Sequence, residues 1–318
     1  MAGKLFVRYI ITESDNGKTV KDILKFELRL SMAHIKHLKF IENGITLNGE
    51  HATVRRTVAT GDVLELATED TQNGERLTPT DISLDIVFED DHIVIPNKPP
   101  FMPTHPSHLH HGDTLADALA FRYTKQNIPF VFRPINRLDR NTSGLTLIAK
   151  SRISAAALSE AMKDGRIKKQ YLAILEGELD SDEGVIETYI TRTDRSIIVR
   201  RVCSAEEGGD LAITRYKVIR RENGYSLVLA SPVTGRTHQL RVHFSHIGHP
   251  IVGDDMYGHE NPRISRHALH AIRLRLPHPE DSRELTFFAP LPEDMRSFIE
   301  AELGGYSESE LEAYFGLN

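Results

Sequence analysis

The stretch Arg133-Pro134-Ile135-Asn136-Arg137-Leu138-Asp139-Arg140-Asn141-Thr142-Ser143-Gly144-Leu145-Thr146-Leu147-Ile148-Ala149 sets the reading of the whole chain. A polar, turn-forming run leads into an apolar segment, Leu145 to Ala149, that reads as a buried strand. At the junction a single carboxylate, Asp139, stands between Arg137 and Arg140. A carboxylate at such a junction is partly desolvated. Desolvation alone raises a carboxyl pKa, whereas a neighbouring guanidinium lowers it by roughly 1–3 units. A carboxylate that acts as a nucleophile needs the second effect to prevail. Taken alone, an Asp between two Arg is more often a surface ion pair, worth roughly 0–1 kcal/mol.

Two further segments carry chemistry-bearing residues. In Pro232-Val-Thr-Gly-Arg-Thr-His-Gln-Leu-Arg-Val-His-Phe-Ser-His-Ile-Gly248, Arg241 shares a helix with the apolar Leu240 and Phe244 and can point to the core edge. A buried Arg needs a buried acid, because an unpaired interior charge costs several kcal/mol. The segment around it, Asn223 to Gly253, contains neither Asp nor Glu, so Asp139 is the expected partner. Arg236, just after Gly235, is placed for a phosphate. In Lys168-Lys-Gln-Tyr-Leu-Ala-Ile-Leu-Glu-Gly177, Tyr171 opens a strand beside a basic cluster. A ring there either packs on the core or stacks on an extruded base.

Outward from these segments, periodicity divides the chain. Residues 1–17 read as an N-terminal extension, 18–68 as a small domain, 69–84 as a polar linker, 85–302 as the main domain and 303–318 as a tail. The small domain has a helical run from Val20 to Leu30 and a second helix from Ser31 to Glu42, ended by Asn43-Gly44. A strand at Ile45-Thr46-Leu47 then meets the hairpin signal Asn48-Gly49, and Val63 to Leu66 closes the unit. The main domain reads as strands at 86–88, 93–95, 145–149, 171–175, 186–190, 197–202, 212–219 and 225–230. Helices are expected at 114–123, 151–164, 237–247 and 292–303. Strands outnumber helices, which predicts an α+β fold with a mixed, mostly antiparallel sheet.

Composition limits the function classes. Of 318 residues, 40% are apolar and 26% charged, which suits globular domains that need no staples. The lone Cys203 permits neither an internal disulfide nor a cysteine-only metal site, and it suits a reducing cytoplasm. The N-terminal residues match neither a signal peptide nor an anchor, and no apolar run is long enough to span a membrane. The net charge of -6 argues weakly against nucleic acid. Local charge argues the other way: nine Lys or Arg lie between Arg133 and Lys169, opposed only by Asp139, Glu160 and Asp164. On charge alone such runs read equally as solvated faces.

The motifs NRLDRNTSGLTLIAKS, KKQYLAILEG, PVTGRTHQLRVHFSHIGHPIVGDDMYG and RHALHA, in this order, resemble the RluA-type pseudouridine synthase family from about Ile86 to Leu291. The segment RLSMAHIKHLKFIENGITLNG is similar to the S-four-type RNA-binding domain, over about fifty residues. The resemblance implies an isomerase that converts uridines of a structured RNA to pseudouridine. Ribosomal RNA is the favoured substrate and transfer RNA the alternative; no cofactor, metal, membrane or obligate protein partner is implied. It makes Asp139 the catalytic aspartate, Tyr171 the tyrosine at the target base and Arg241 the partner of Asp139, with Leu269 on an apolar wall. Asn136, Arg137, Arg140, Arg236 and His238 are the expected RNA contacts of the main domain. Arg29, Lys36, Lys39, Arg55 and Arg56 are those of the small one. Asn136 stands where that family often has His, and an Asn side chain can still donate and accept.

Two rival readings remain. A non-catalytic RNA-binding or assembly factor would need only the small domain and the basic runs. A metal-dependent hydrolase is invited by His105, His108, His110 and His111 and by His238, His243, His246 and His249, but no carboxylate accompanies either group at ligand spacing.

Overall fold

A computed structural model describes residues 6–28, 30, 32–39, 43–67, 77–107, 110–193, 196–306 and 314. The first unit has strand β1 (Phe6–Ile10), helix α1 (Val20–Asp22) continued by π-helical turns to Glu27, helix α2 (Met32–Leu38), and strands β2 (Ile45–Leu47), β3 (Glu50–His51) and β4 (Val63–Ala67). Asn48 and Gly49 both have positive φ, 55° and 81°, as a tight two-residue hairpin turn between β2 and β3 requires. The strands form one sheet in the order β1-β4-β2-β3. Val20, Ile23, Leu24, Ile35 and Leu38 bury the helical faces against it. Setting residues 1–17 aside as an extension therefore missed a strand: β1 pairs with β4 along its whole length. The expected N-cap at Ser31 lies outside the described residues, as do Arg29, the first half of the linker and most of the tail.

The second unit is built on one large sheet. Its elements are β5 (Asp85–Glu89), β6 (Ile93–Lys98), α3 (Leu115–Lys125), β7 (Ser143–Leu145), β8 (Ile148–Ala149), α4 (Arg152–Lys163), β9 (Lys168–Glu176), β10 (Glu183–Thr193) and β11 (Ser196–Cys203). There follow β12 (Asp210–Glu222), β13 (Tyr225–Pro232), α5 (Gln239–His246), β14 (Leu269–Pro277), β15 (Glu284–Phe288) and α6 (Glu293–Glu302). The strand order is β11-β10-β12-β13-β9-β14-β7-β6-β5, with β15 on β14 and β8 on β6. Every pairing is antiparallel except β14 with β7. Local chemistry sets the helix starts. The Thr114 and Ser151 hydroxyls accept the Asp117 and Ser154 amides, as N-caps should. Gly248, at φ 83°, ends α5. Ile153 on α4 packs against the core of the first unit and so joins the two.

Sequence reading missed β14 and β15. β14 supports the site from beneath the Asp139 turn: β9 flanks it on one side, and β7 and then β15 on the other. The expected continuous strand 145–149 is broken into β7 and β8. Gly144 makes the β7–β14 contact possible. At φ 111° it lies where a side chain is strained, and a Cβ there would sit 2.3 Å from the Ala271 carbonyl oxygen. Among the described residues no helix is long and apolar enough to cross a membrane.

Candidate active site

Asp139 heads a turn, closed by the Thr142 amide donating to its carbonyl at 3.1 Å, that is tied down on both sides. Before it, the Thr104 hydroxyl donates to the Leu138 carbonyl at 2.8 Å and accepts the Leu138 amide. After it, Lys98 Nζ donates to the Arg140 carbonyl at 3.2 Å and Arg266 Nη1 to the Asn141 carbonyl at 3.0 Å. The Thr142 hydroxyl pairs with His267 Nε2 at 2.8 Å and the Ser143 hydroxyl with His270 Nδ1 at 2.9 Å. Burial holds both imidazoles neutral: His270 is pushed down to about 4, and His267, with guanidinium charges nearby, falls well below its usual range. The Asp139 side chain is left 30% exposed on a rigid support.

Lys98 is fully buried and also donates to the Pro99 and Met102 carbonyls, at 2.9 and 2.7 Å. Burial, reinforced by Arg266 and opposed by Asp139, brings its ammonium down to about 7.

The second support comes from α5. Arg241, 5% exposed, forks onto Asp254, with Nε and Nη2 each 2.7 Å from a carboxylate oxygen. Asp254 is fully buried and also accepts the Met256 and Tyr257 amides. This pairing fixes the plane of the guanidinium and leaves Nη1 directed at Asp139 Oδ2, 3.4 Å away. Burial pulls the guanidinium down, but the hydrogen bonds and charge of Asp254 and the charge of Asp139 outweigh it and raise it above its ordinary value.

His238, the N-cap of α5, has φ 58°, an uncommon conformation for a non-glycine residue. Its Nδ1 lies 2.8 Å from the Tyr257 hydroxyl, and its Nε2 lies 3.8 Å from Asp139 Oδ2. The Tyr257 oxygen accepts the Arg200 amide at 2.8 Å, so its own proton is free to go to Nδ1. This arrangement suits the neutral Nε2–H tautomer, whose N–H is directed toward Asp139. Burial lowers His238 below its usual value against the pull of Asp139.

Tyr171 on β9 lies between Ala230 of β13 and Ala271 of β14, small neighbours that leave its ring room. Burial, then the charge of Asp139, holds its phenol neutral well above the usual range. Among the described residues its hydroxyl has no hydrogen-bond partner. Leu269, buried, begins β14.

Beyond His238, a cavity of about 440 Å³ opens between the β10–β11 hairpin and the turn before α5, lined by Arg192, Arg200, Asp210, Gly235, Arg236 and Thr237. Gln239 builds that turn: its side chain accepts the Arg236 amide and the Thr234 hydroxyl and donates to Ile213 and Thr214.

A family profile described as RNA pseudouridylate synthase matches residues 92–246, a span that contains Asp139, Tyr171 and Arg241. A Bacillus subtilis protein named as the uncharacterized RNA pseudouridine synthase YjbO is 36% identical over 276 residues, which cover 87% of this chain and 96% of that one. The chain belongs to the RNA pseudouridylate synthase family. A ribosomal large subunit pseudouridine synthase D from Nitrosomonas europaea is 33% identical to this synthase, over 81% of this chain and 76% of that one. Among solved structures, human RNA Pseudouridylate Synthase Domain Containing 1 superposes with a TM-score of 0.60 and 28% identity, covering 74% of the synthase and 96% of the human chain.

The synthase brings Asp139, Arg241 and His238 together and sets Tyr171 within reach of the charge of Asp139. Arg137 and Arg140 point outward, and among the described residues neither has an ion-pair partner. Arg236 is exposed, with Nε on the Leu211 carbonyl at 3.0 Å. Lys36, Lys39, Arg55 and Arg56 are exposed on the small unit.

Two expectations need correction. Asn136 does not face a ligand: it is buried, donating to the Leu145 carbonyl and accepting the Leu147 amide, and so bridges the break between β7 and β8. The principal acid on Arg241 is Asp254 rather than Asp139. Asp254 escaped because it follows the acid-free stretch directly, in a Gly-Asp-Asp run that reads as a turn. Among the described residues no three His, Cys, Asp or Glu side chains are grouped to hold a metal ion. His243 is buried on Thr188 and Thr214, and His249 bonds the Glu176 carbonyl.

Proposed function

We propose that this synthase isomerises uridine in large-subunit ribosomal RNA, with Asp139 as the reacting carboxylate. One observation carries the assignment: a carboxylate on a turn anchored before and after it, 3.4 Å from a guanidinium that a second, buried carboxylate holds in place. Fixed charge at a reacting atom needs no reorganisation during the reaction, which is the main source of electrostatic catalysis. The substrate assignment draws on the relative named for the ribosomal large subunit and on the exposed basic groups of both units. In this reading the small unit is an S-four-type RNA-binding module and the protein works in the cytoplasm.

The product is an isomer, so the atoms balance within the nucleotide. The bond from uracil N1 to the sugar C1′ breaks, a bond from C5 to C1′ forms, C5 loses a proton and N1 gains one. Asp139 serves by attacking C1′ or by taking the neighbouring sugar proton to give a glycal. Both routes require an ionised carboxylate and a uridine extruded from its stack, at a cost of a few kcal/mol. Phosphate contacts from Arg137, Arg140 and Arg236 offset that cost. The Tyr171 hydroxyl, neutral and unoccupied, faces the base and takes part in removing the C5 proton by positioning the water that accepts it and returns a proton to N1.

Mapping pseudouridine in RNA from cells with and without the gene tests the reaction. Purified Asp139→Asn is expected to lose about 10³-fold or more in rate while RNA binding survives. Tyr171→Phe should bind normally and turn over slowly. Near-normal turnover by Asp139→Asn would refute the assignment.

A further inference from the structure

Seven described residues other than glycine have positive φ, and four of them are asparagines, the residue type that tolerates it best. Phe101, at φ 64°, is the odd member: a bulky ring with no polar group to compensate. It is also 45% exposed, and among the described residues no other ring or cation packs on it. Its neighbours behave differently. Met102 is buried in a core of its own with Val94 and Leu119. The Pro99 and Met102 carbonyls on either side of Phe101 both accept from Lys98 Nζ, so a single ammonium closes the bend whose tip is Phe101.

The same ammonium donates to the Arg140 carbonyl, and Thr104, three residues after Phe101, is bonded both ways to Leu138. The bend is thus stitched to the residue before Asp139 and to the residue after it. Backbone strain survives only where the surroundings enforce it, and here they present an aromatic ring to solvent on a bend tied to the turn that bears the reacting carboxylate. Among the described residues no ring or cation makes use of it. A nucleobase would: stacking on an exposed aromatic is how unpaired bases are held.

We propose that Phe101 is the stacking platform for a nucleobase adjacent to the uridine that reaches Asp139, with Arg140 on the linked turn taking the neighbouring phosphate. The inference rests on the functional reading above. It makes Phe101 a binding residue that holds the strand open, not a participant in the chemistry.

Glycine separates strain from function. Phe101→Gly suits the left-handed backbone, so its Tm should equal or exceed that of wild type. On an in vitro transcript of large-subunit ribosomal RNA its kcat/KM for pseudouridine formation should fall ~5-fold or more, the loss of one stacked base. Phe101→Tyr and Phe101→Trp should keep the rate. The chain has no tryptophan, so Phe101→Trp also carries a single indole whose emission should be quenched when the transcript is added in an Asp139→Asn background. Wild-type kcat/KM in Phe101→Gly, or unchanged indole emission at saturating RNA, overturns the inference alone. A wild-type protein that forms no pseudouridine in any RNA overturns the functional reading and the inference with it.

Discussion

Two buried arginines support the Asp139 turn, and they do so differently. Arg241, on α5, forks onto Asp254 and turns its remaining N–H groups to the Asp139 carboxylate. Arg266, just before β14, forks onto Asp294 at the start of α6 and gives its remaining N–H groups to the carbonyls of Asn141, His267 and Leu269. Each guanidinium is neutralised by its own acid and has donors to spare. One spends them on the charge of the reacting group, the other on its position. Charge and position are therefore maintained by separate ion pairs on separate elements.

Removing Arg241 should have the largest effect. Arg241→Met is expected to cost about 3–5 kcal/mol of stability, because Asp254 is left buried without a partner. It should also cost about 10²–10³-fold in kcat, the usual loss for one electrostatic donor. Arg241→Met combined with Asp254→Leu should regain stability, measured by urea denaturation, but not rate. Regained rate would place the role of Arg241 in packing alone.

Arg266→Met tests the other arm. Here about 2–3 kcal/mol should be lost, because Asp294 is partly exposed and can be hydrated. The rate at permissive temperature should drop about 10- to 100-fold through misplacement of the carboxylate. A loss of rate as large as that of Arg241→Met would merge the two arms into one electrostatic device.

These separate roles were only partly legible in the sequence. Helix starts at Thr114 and Ser151, the Asn48-Gly49 hairpin and the grouping of Asp139, Tyr171 and Arg241 could be read because local rules or extended motifs carry them. β14 could not. In Leu269–Pro277 two arginines alternate with apolar residues in the second half, the pattern of a half-exposed strand, and nothing local reveals that its first half is enclosed by β9 and β7. Lys98 was hidden for a related reason. A lysine before two prolines reads as surface, and only the fold shows three carbonyls converging on it. Asp254 and Asp294 had the same disadvantage: a partner across the fold leaves no signal in spacing. Phe6–Ile10 was passed over because one short alternating run, without its partner strand, looks like any tail.

The histidine clasps on the Arg266 side give a pH test of intermediate size. His270 is lowered by burial from 6.5 to about 4, so between those values the unfolded chain binds a proton that the folded chain does not. Stability is then complete above pH 6.5 and declines as pH falls toward 4, by roughly 3 kcal/mol for this group. His270→Gln should reduce the proton uptake on unfolding at pH 5 by about one. An unchanged slope would mean that this imidazole is already charged in the folded protein.

The smallest effect is expected at the small unit, where Lys36 and Lys39 are exposed on and just after α2. Alanine at both should leave Tm and the rate at saturating RNA unchanged. It should raise KM and reduce the salt dependence of binding by about 0.7–0.9 for each phosphate that is no longer neutralised. A change in saturated rate would show that this surface reaches the reaction.

The hydroxyl clasps also bear on when the molecule becomes competent during synthesis. Thr142 and Ser143 find their imidazoles 125 and 127 residues further along the chain, and Arg266 waits for Asp294, another 28 on. A ribosome that has made every motif residue through Arg241 has therefore not yet supplied what shapes the turn. Contacts of such separation form late and slowly, so the emerging polypeptide should remain catalytically silent until α6 has docked.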